Sequence, residues 1–501
     1  MNIEFERNVV PYLQCIVHEE KYLEQMAETI VPDSCPDIET IIHSYADAII
    51  RGKECGAGSI TISGGIKAGL LYLPEKETEP RRLDFYIPFN TNIDNPLVTD
   101  QTKIVSNVKI QSVEGKMVNS RKALIRVSFC CTVMAFEPSE GTFYGISKAP
   151  DTFQVKSETY TFKLPTEVSE KSFVISDSIE LPMTKAPVVE IFKFIPRVEL
   201  IDQKLVGNKG VFKGNVICKV LYLTEEHDLS VYEYSLPFSQ YCEFINDYEN
   251  DQLNLYPVLT GYDFDLIKQN ECTISVSLNI LVQGVVWETR EQAVLVDAYS
   301  TENLFSPSWT DCNVCTQLDK HSEKSVVYQK VNGDLYEIID SDIYISSVSI
   351  QRANGKAVLV TPISIQFIGR NEEHELCGIV GKAEIVQEDA LAEQADCVII
   401  SYQAGPCYVT AHSGIIEFRF ECISDMLFYT NQEMQIICGG DMEELGIVEK
   451  SPGIIFRKFN KGTSIWEIAK EYRSMPDEIF CVNHLSEDRL SEDSFLLVPV
   501  G

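Results

Sequence analysis

The chain has 501 residues, 45% of them hydrophobic and 23% charged, a composition typical of a globular protein with about three or four domains. The formal net charge is −33, so the phosphate backbone of a nucleic acid and the surface of an anionic membrane would both repel the chain. A basic protein partner would be attracted, although the same acidity also serves solubility alone.

The N-terminal segment MNIEFERNVV has neither a basic region nor an apolar core, so no signal peptide is predicted. No stretch approaches the length of about eighteen apolar residues that a membrane-spanning helix needs. The segments Glu19–Thr29 and Asp37–Ile50 are the best helical candidates, and a turn at Pro36 would lead into the cap of the second helix. We therefore expect a cytoplasmic protein with an N-terminal helical segment.

The sequence contains an internal repeat. Residues 62–75 (ISGGIKAGLLYLPE) align with residues 212–225 (FKGNVICKVLYLTE), which places Gly64 over Gly214 at an offset of 150. Further aligned anchors are Tyr72 with Tyr222, Ile87-Pro88-Phe89 with Leu236-Pro237-Phe238, and Val31-Pro32 with Leu181-Pro182. Several ordered anchors at nearly one offset indicate two copies of one unit.

Each copy closes with apolar residues at alternate positions, and a weaker third copy follows the first two. The alternating residues are Ile125, Val127, Phe129, Cys131 and Val133, then Ile274, Val276, Leu278, Ile280 and Val282, then Ile416, Phe418, Phe420 and Cys422. Alternation of period two places such side chains on one face of a half-buried strand. We predict a mainly β fold with tandem units at residues 1–155, 156–303 and 304–448, followed by a small domain at 452–501.

The sixteen cysteines are scattered, many in apolar runs, which predicts reduced thiols packed as small hydrophobic side chains. One CxxC motif is present, at Cys312 and Cys315, but a structural zinc site needs four ligands and His321 stands at an unsuitable spacing. HExxH, Walker A and GxSxG motifs are absent from the sequence. We predict neither a metal site, nor a cofactor, nor an enzyme.

The last fifty residues have the pattern strand, helix, helix, strand. A turn at Gly462 precedes the first helix, which the hydroxyl of Thr463 or Ser464 can cap. Pro476 stands at the start of the second helix, where its missing N–H costs nothing. The apolar residues recurring at helical spacing are Ile465, Ile468, Ala469 and Tyr472, then Ile479, Val482 and Leu485.

Two segments carry a resemblance to known families. Residues 31–39 (VPDSCPDIE) resemble the opening of the SPOCS domain of spore-coat assembly proteins, and the ISGGIKAGLLYLPE segment resembles that domain too. Residues 461–469 (KGTSIWEIA), with Asn483 in the second helix, resemble the LysM domain. SPOCS-like units followed by one LysM-like domain resemble the SipL-like family of clostridial spore-coat morphogenetic proteins.

The resemblance implies a binding site and two alternative ligands. LysM domains bind N-acetylglucosamine polymers in a groove between the loop after the first strand and the loop before the last one. The residues carried over to that groove are Gly462, Thr463, Ser464, Ile465, Trp466, Asn483, Leu490, Glu492 and Asp493. An acidic residue usually follows the glycine, where Thr463 stands here, and Pro-Gly-Gln usually stands where this chain has Glu492-Asp493-Ser494.

Two carboxylates at the rim favour a protein ligand over a sugar. For Trp466, packing in the small core is favoured over contact with a ligand. The SipL-like family implies a location in the mother-cell cytosol, at the forespore surface. It also implies docking through the LysM-like domain to a SpoIVA-like ATPase that polymerises as the coat basement layer. The alternative is a protein that binds peptidoglycan or N-acetylglucosamine.

Overall fold

A computed structural model describes residues 3–75, 77–249, 251–267, 272–353, 356–388, 396–444 and 453–500. Long antiparallel strands make up almost all of it, and the two helices among the described residues both lie near the C-terminus. The prediction of a mainly β chain is therefore confirmed. Before the C-terminal module, the strands form three groups, each made of two sheets with apolar side chains between them.

The first group forms the sheets β1-β6-β5 and β2-β3-β4. Its strands are β1 (Glu4–Ile30), β2 (Ile38–Gly56), β3 (Ser59–Pro74), β4 (Arg81–Asp94), β5 (Lys103–Asn119) and β6 (Lys122–Lys148). The alternating residues Ile125 to Val133 lie on β6 and are fully buried between the two sheets, as their period predicts.

The second group forms the sheets β10-β11-β7 and β8-β9. Its strands are β7 (Phe153–Glu180), β8 (Val188–Thr224), β9 (Leu229–Tyr248), β10 (Gln252–Leu266) and β11 (Thr273–Ser300). The backbone of β8 takes a positive φ of 58° at Gly207, and Gly214 lies directly against the Glu199 carbonyl. In the first group, Gly64 lies against the Ile49 carbonyl in the same way, 150 residues earlier in both partners.

The third group forms the sheets β12-β19-β17, with β18 also on β19, and β13-β15-β14, with β16 also on β15. Its strands are β12 (Asn303–Asn332), β13 (Glu337–Ile345), β14 (Ser349–Ala353), β15 (Lys356–Arg370), β16 (Leu376–Glu388), β17 (Asp396–Ala404), β18 (Tyr408–His412) and β19 (Ile415–Glu444). In all three groups the first and last strands pair along their length, as β1–β6, β7–β11 and β12–β19.

The helices predicted at Glu19–Thr29 and Asp37–Ile50 are wrong. Both segments are strands, and the turn after Pro32 leads into β2 and not into a helix cap. In β1, Leu23 lies opposite Phe129 of β6, so pairing with a long partner strand overrides the good helix propensity of this segment. In β2, residues 42–46 are all buried because other strands cover both faces, which removes the alternation that would have indicated a strand.

The three groups meet at a shared apolar junction. Ile42 and Leu71 of the first group pack with Phe192 and Leu221, which stand 150 residues later, and with Ile368 of the third group. Residues that stand 150 positions apart in the sequence thus pack against each other here. The three groups therefore pack directly against one another at this junction.

A buried ionic cluster lies beside this junction and joins all three groups. Lys193 of β8 is fully enclosed and contacts Asp340 and Asp342 of β13, the latter at 2.6 Å between Nζ and Oδ2. His43 of β2 lies 2.8 Å from the same Asp342 oxygen, and Lys219 of β8 lies 2.5 Å from Asp340. Burial alone would raise the pKa of Asp342, but the two lysine ammonium groups hold it well below its usual range.

Candidate functional site

The C-terminal module is a small domain with its own core. It consists of β20 (Ile454–Phe459), α1 (Ile465–Tyr472), α2 (Pro476–Asn483) and β21 (Ser494–Pro499), the order that the sequence pattern predicts. β20 and β21 pair antiparallel, and the helices cover one face of this two-stranded sheet. The buried apolar residues of the module are Phe459, Ile465, Trp466, Ile468, Ala469, Ile479, Leu490, Leu496 and Val498.

The two loops predicted to border a ligand groove are hydrogen-bonded to each other. The Gly462 N–H donates to the Leu490 carbonyl at 2.8 Å, and the Leu490 N–H donates to the Thr463 carbonyl at 3.1 Å. The Asp493 carboxylate accepts the Lys461 N–H at 2.9 Å, and Gly462 takes a φ of 85° at this turn. The loops therefore support each other, and their backbone donors at these positions are already used.

The start of α1 is capped by a residue that the sequence pattern did not single out. Asp488 accepts the backbone N–H of Trp466 at 3.1 Å and the hydroxyl of Ser464 at 2.8 Å, and its carbonyl accepts the N–H of Ile465. Ser464 is the capping residue by position, but its hydroxyl makes no capping bond, and that of Thr463 donates to the Asn460 carbonyl. The predicted hydroxyl cap is therefore wrong, since a carboxylate from the opposite loop takes the free N–H.

Asn483 ties α2 to the last strand. Its side-chain amide donates to the Leu497 carbonyl at 2.7 Å, and its side-chain oxygen accepts the Leu497 N–H at 2.8 Å. These are the bonds that a neighbouring strand would make with Leu497. Asn483 thus holds the edge of β21, whereas Glu492 is an exposed side chain on the adjoining loop.

Trp466 faces the second strand group. It is buried, its indole N–H donates to the Asp297 carboxylate at 2.8 Å, and its ring meets the ring of Tyr299 edge-on at 5.0 Å between centroids. Ile465, next to it, points into the core of the module and is fully buried. Asp297 and Tyr299 lie at the end of β11, and no local signal in the sequence links them to a residue almost 170 positions later.

The outer face of the β20–β21 sheet carries exposed apolar side chains, with Lys458 opposite Phe495 as its charged residue. Phe456 and Phe495 stack at 5.2 Å between ring centroids, and their side chains are 66% and 61% exposed. Ile454 and Leu497 extend the same face, and Leu497 lies opposite Phe456 in the strand pairing. Neighbouring exposed apolar side chains of this size are typical of a surface that binds another protein. The sequence pattern did not separate them from core residues.

A cavity of 1050 Å³ lies where the three strand groups meet. It is lined by residues of all three groups, among them Asp47 of β2, Lys219 of β8 and Asp342 of β13. Burial raises the pKa of Asp47 to about 7, because its Oδ2 is enclosed, and this outweighs the hydrogen bond from the Ala48 N–H to Oδ1, which lowers the pKa. The lysine–carboxylate pairs at the cavity wall are those of the ionic cluster, an arrangement typical of a structural junction.

The CxxC cysteines are separated by the geometry of a strand. Cys312 and Cys315 both lie on β12, where an odd spacing directs them to opposite faces, and they pack in different apolar clusters. Over the residues that the structure describes, no group of three His, Cys, Asp or Glu side chains has the arrangement of a metal site. None of the described helices is long and apolar enough to cross a membrane.

Residues 187–267, which span β8, β9 and β10, match the family model described as SipL, SPOCS domain. No curated protein and no solved structure matches the chain. The match supports a relationship to the SipL-like family and suggests that the protein is associated with sporulation.

Proposed function

We propose that the chain is a non-enzymatic spore-coat assembly protein, located in the mother cell at the forespore surface. Three SPOCS-like units, at residues 1–155, 156–303 and 304–448, form its body, and the module at 452–501 is a LysM-like domain. This module docks to a polymerising, SpoIVA-like ATPase of the coat basement layer. The family match at residues 187–267 supports the sporulation setting.

The observation that carries the docking role is the exposed apolar face of the module. Phe456 and Phe495 present two stacked aromatic rings beside Ile454 and Leu497, on a sheet whose other face is filled by its own helices. Large aromatic side chains of this kind provide most of the affinity in protein interfaces. A chain of net charge −33 would in addition attract a partner with a basic surface.

The alternative ligand is a glycan such as an N-acetylglucosamine polymer. The two loops of the predicted groove bond to each other through Gly462 and Leu490, and the carboxylates of Glu492 and Asp493 lie at the rim. A sugar site needs free polar groups and an open apolar floor. In both loops, backbone N–H and carbonyl groups already form hydrogen bonds with the other loop. These features favour the protein ligand.

Binding of the purified ATPase to the full-length chain tests the proposal. We expect Phe456→Ser and Phe495→Ser each to weaken binding by about tenfold or more, since each removes an exposed aromatic ring from the docking face. Ile245→Ser is the matched control, because Ile245 is an apolar side chain of β9 that is more exposed than either ring. Unchanged binding in both Phe variants, or saturable binding of N-acetylglucosamine oligomers without binding of the ATPase, would refute the proposal.

A further inference from the structure

The helix α1 of the C-terminal module has a second face, and the chain itself covers it. The Asp297 carboxylate accepts the Trp466 indole N–H through Oδ2 at 2.8 Å and the Lys470 ammonium through Oδ1 at 2.6 Å. The Tyr299 hydroxyl donates to the Ser474 carbonyl at 2.7 Å, just beyond the end of α1. With the edge-on contact between the Tyr299 and Trp466 rings, four polar and aromatic contacts converge on two residues of β11.

These two residues form one recognition element. Asp297 and Tyr299 are two positions apart on an extended strand, so their side chains lie on the same face, about 7 Å apart along the chain. The surface of α1 matches this spacing, with an indole N–H and an ammonium for the carboxylate and an indole face for the ring. In this chain α1 therefore contacts a carboxylate and an aromatic ring that stand two positions apart on an extended strand.

The ionic part of the contact is open to water, whereas Trp466, Tyr299 and Ser474 are buried in it. The side chain of Asp297 is 24% exposed and that of Lys470 is 46% exposed, so the ion pair between them is screened and exchangeable. Apart from Tyr299, the core of the module consists of its own residues. The module therefore does not depend on β11 for most of its packing, and release of Asp297 and Tyr299 would leave its fold in place.

We propose that Trp466 and Lys470 of α1, with Ser474 just after it, form a second docking surface for the same partner protein. It would bind an extended segment of that partner with a carboxylate two residues before an aromatic ring. In the free chain, Asp297 and Tyr299 occupy the surface as an internal substitute for that segment. The proposal rests on the proposed function in taking the C-terminal module as the docking module. Because the internal segment is tethered, it competes at a high effective concentration and lowers the apparent affinity of the partner.

The first experiment observes Trp466 in the full-length chain. The sequence contains three tryptophans, Trp287, Trp309 and Trp466, so 5-fluorotryptophan labelling gives three ¹⁹F resonances, and a Trp466→Phe variant assigns the third. We expect Asp297→Asn, and to a smaller extent Tyr299→Phe, to move the Trp466 resonance towards that of a solvent-exposed tryptophan. Glu291→Gln is the matched control, since Glu291 is an exposed acid on the same strand.

The second experiment supplies the recognition element in trans. A synthetic peptide LVDAYS, which copies residues 295–300, is titrated into the Asp297→Asn chain up to the millimolar range typical of a short tether. We expect it to return the Trp466 resonance towards the wild-type position in a saturable way, whereas the peptide LVNAFS does not. The proposal would be overturned if Asp297→Asn left the chemical shift of the Trp466 resonance unchanged, or if the LVDAYS peptide caused no saturable change in it.

Binding of the ATPase separates the two proposals. If both hold, Asp297→Asn binds it several-fold more tightly than the wild-type chain, and Glu291→Gln binds it unchanged. If neither chain binds it while the LVDAYS peptide binds the variant, the proposed function fails and the docking surface stands. If the ATPase binds and Asp297→Asn leaves its affinity unchanged or weakens it, β11 does not compete with the partner and the docking surface is refuted.

Discussion

Lys193 and Asp342 lie 2.6 Å apart, Nζ to Oδ2, although 149 residues separate them and both side chains are shielded from solvent. His43, which stands 150 residues before Lys193 in the sequence, reaches the same oxygen. One carboxylate of the third strand group therefore balances side chains from both other groups. The junction of the three groups depends on this balance, since an unpaired charge there would be buried without compensation.

Asp342→Ala removes the shared carboxylate and leaves the Lys193 ammonium with Asp340 alone. We expect the free energy of unfolding, for the transition that includes the junction, to fall by about 3–5 kcal/mol, the usual effect of breaking a buried pair. Urea unfolding followed by intrinsic fluorescence measures it. Asp228→Ala is the control, because Asp228 and Arg370 form an exposed pair between the same two groups, and its loss should cost less than about 1 kcal/mol. Equal effects of the two substitutions would contradict a special role for the cluster.

Asp47 gives the fold a pH dependence of defined sign. Its pKa is about 7 in the folded chain and about 4 in the unfolded chain, so the folded state holds a proton that the unfolded state has lost. This group therefore destabilises the fold increasingly as the pH rises from about 4 to about 7. We expect Asp47→Asn to gain stability relative to the wild type across that window, as measured by thermal unfolding at a series of pH values. A stability difference that does not depend on pH would show that Asp47 is ionised normally.

Asp488→Ala removes the carboxylate that caps α1. The backbone N–H of Trp466 then loses its hydrogen-bond acceptor. We expect the stability of the module to fall by about 1 kcal/mol, the value typical for the loss of a helix cap. Hydrogen exchange at the first amides of α1 measures the effect locally and should become faster. Glu487→Ala is the control, since Glu487 is an exposed neighbour on the same loop. The same acceleration in both variants would indicate general loosening of the loop.

Gly64→Ala and Gly214→Ala should both disrupt their sheets. A Cβ atom at Gly64 would lie 2.3 Å from the Ile49 carbonyl oxygen, and one at Gly214 would lie 2.2 Å from the Glu199 oxygen. Backbone must move in each case, so we expect each variant to lower the midpoint of thermal unfolding strongly or to reduce the soluble yield. Gly56→Ala is the control, because a Cβ there meets no atom within 4 Å. A normal midpoint in either variant would show that the backbone can separate at little cost.

Period and spacing predicted the features that depend on neighbouring residues. The closing strand with Phe129 and the aligned tyrosines Tyr72 and Tyr222, both fully buried, follow from local alternation and from one constant offset. The strand–helix–helix–strand order near Trp466 follows from helical periodicity and from Pro476. Patterns of this kind need no knowledge of what lies across the sheet.

Features that depend on distant partners were missed or predicted wrongly. Residues 19–29 have the composition of a helix, and only the presence of β6 alongside makes them a strand. Lys193 stands between two phenylalanines, and its burial is possible only because Asp340 and Asp342 arrive from the third group. The pairing of Trp466 with Asp297 is likewise tertiary. In the module, Asp488 caps α1 from 22 residues away, beyond the range of any local capping pattern.

The pairing of first and last strands has a mechanical consequence. Glu4 lies opposite Lys148, and Phe153 opposite Ser300, so each strand group receives and releases the chain at the same end of one ladder. A tensile load transmitted through the chain would therefore peel such a ladder from that end, breaking its hydrogen bonds one at a time and not all in shear. The contacts between the strand groups would then provide most of the resistance to stretching. The groups would separate at a lower force than the length of their strands suggests.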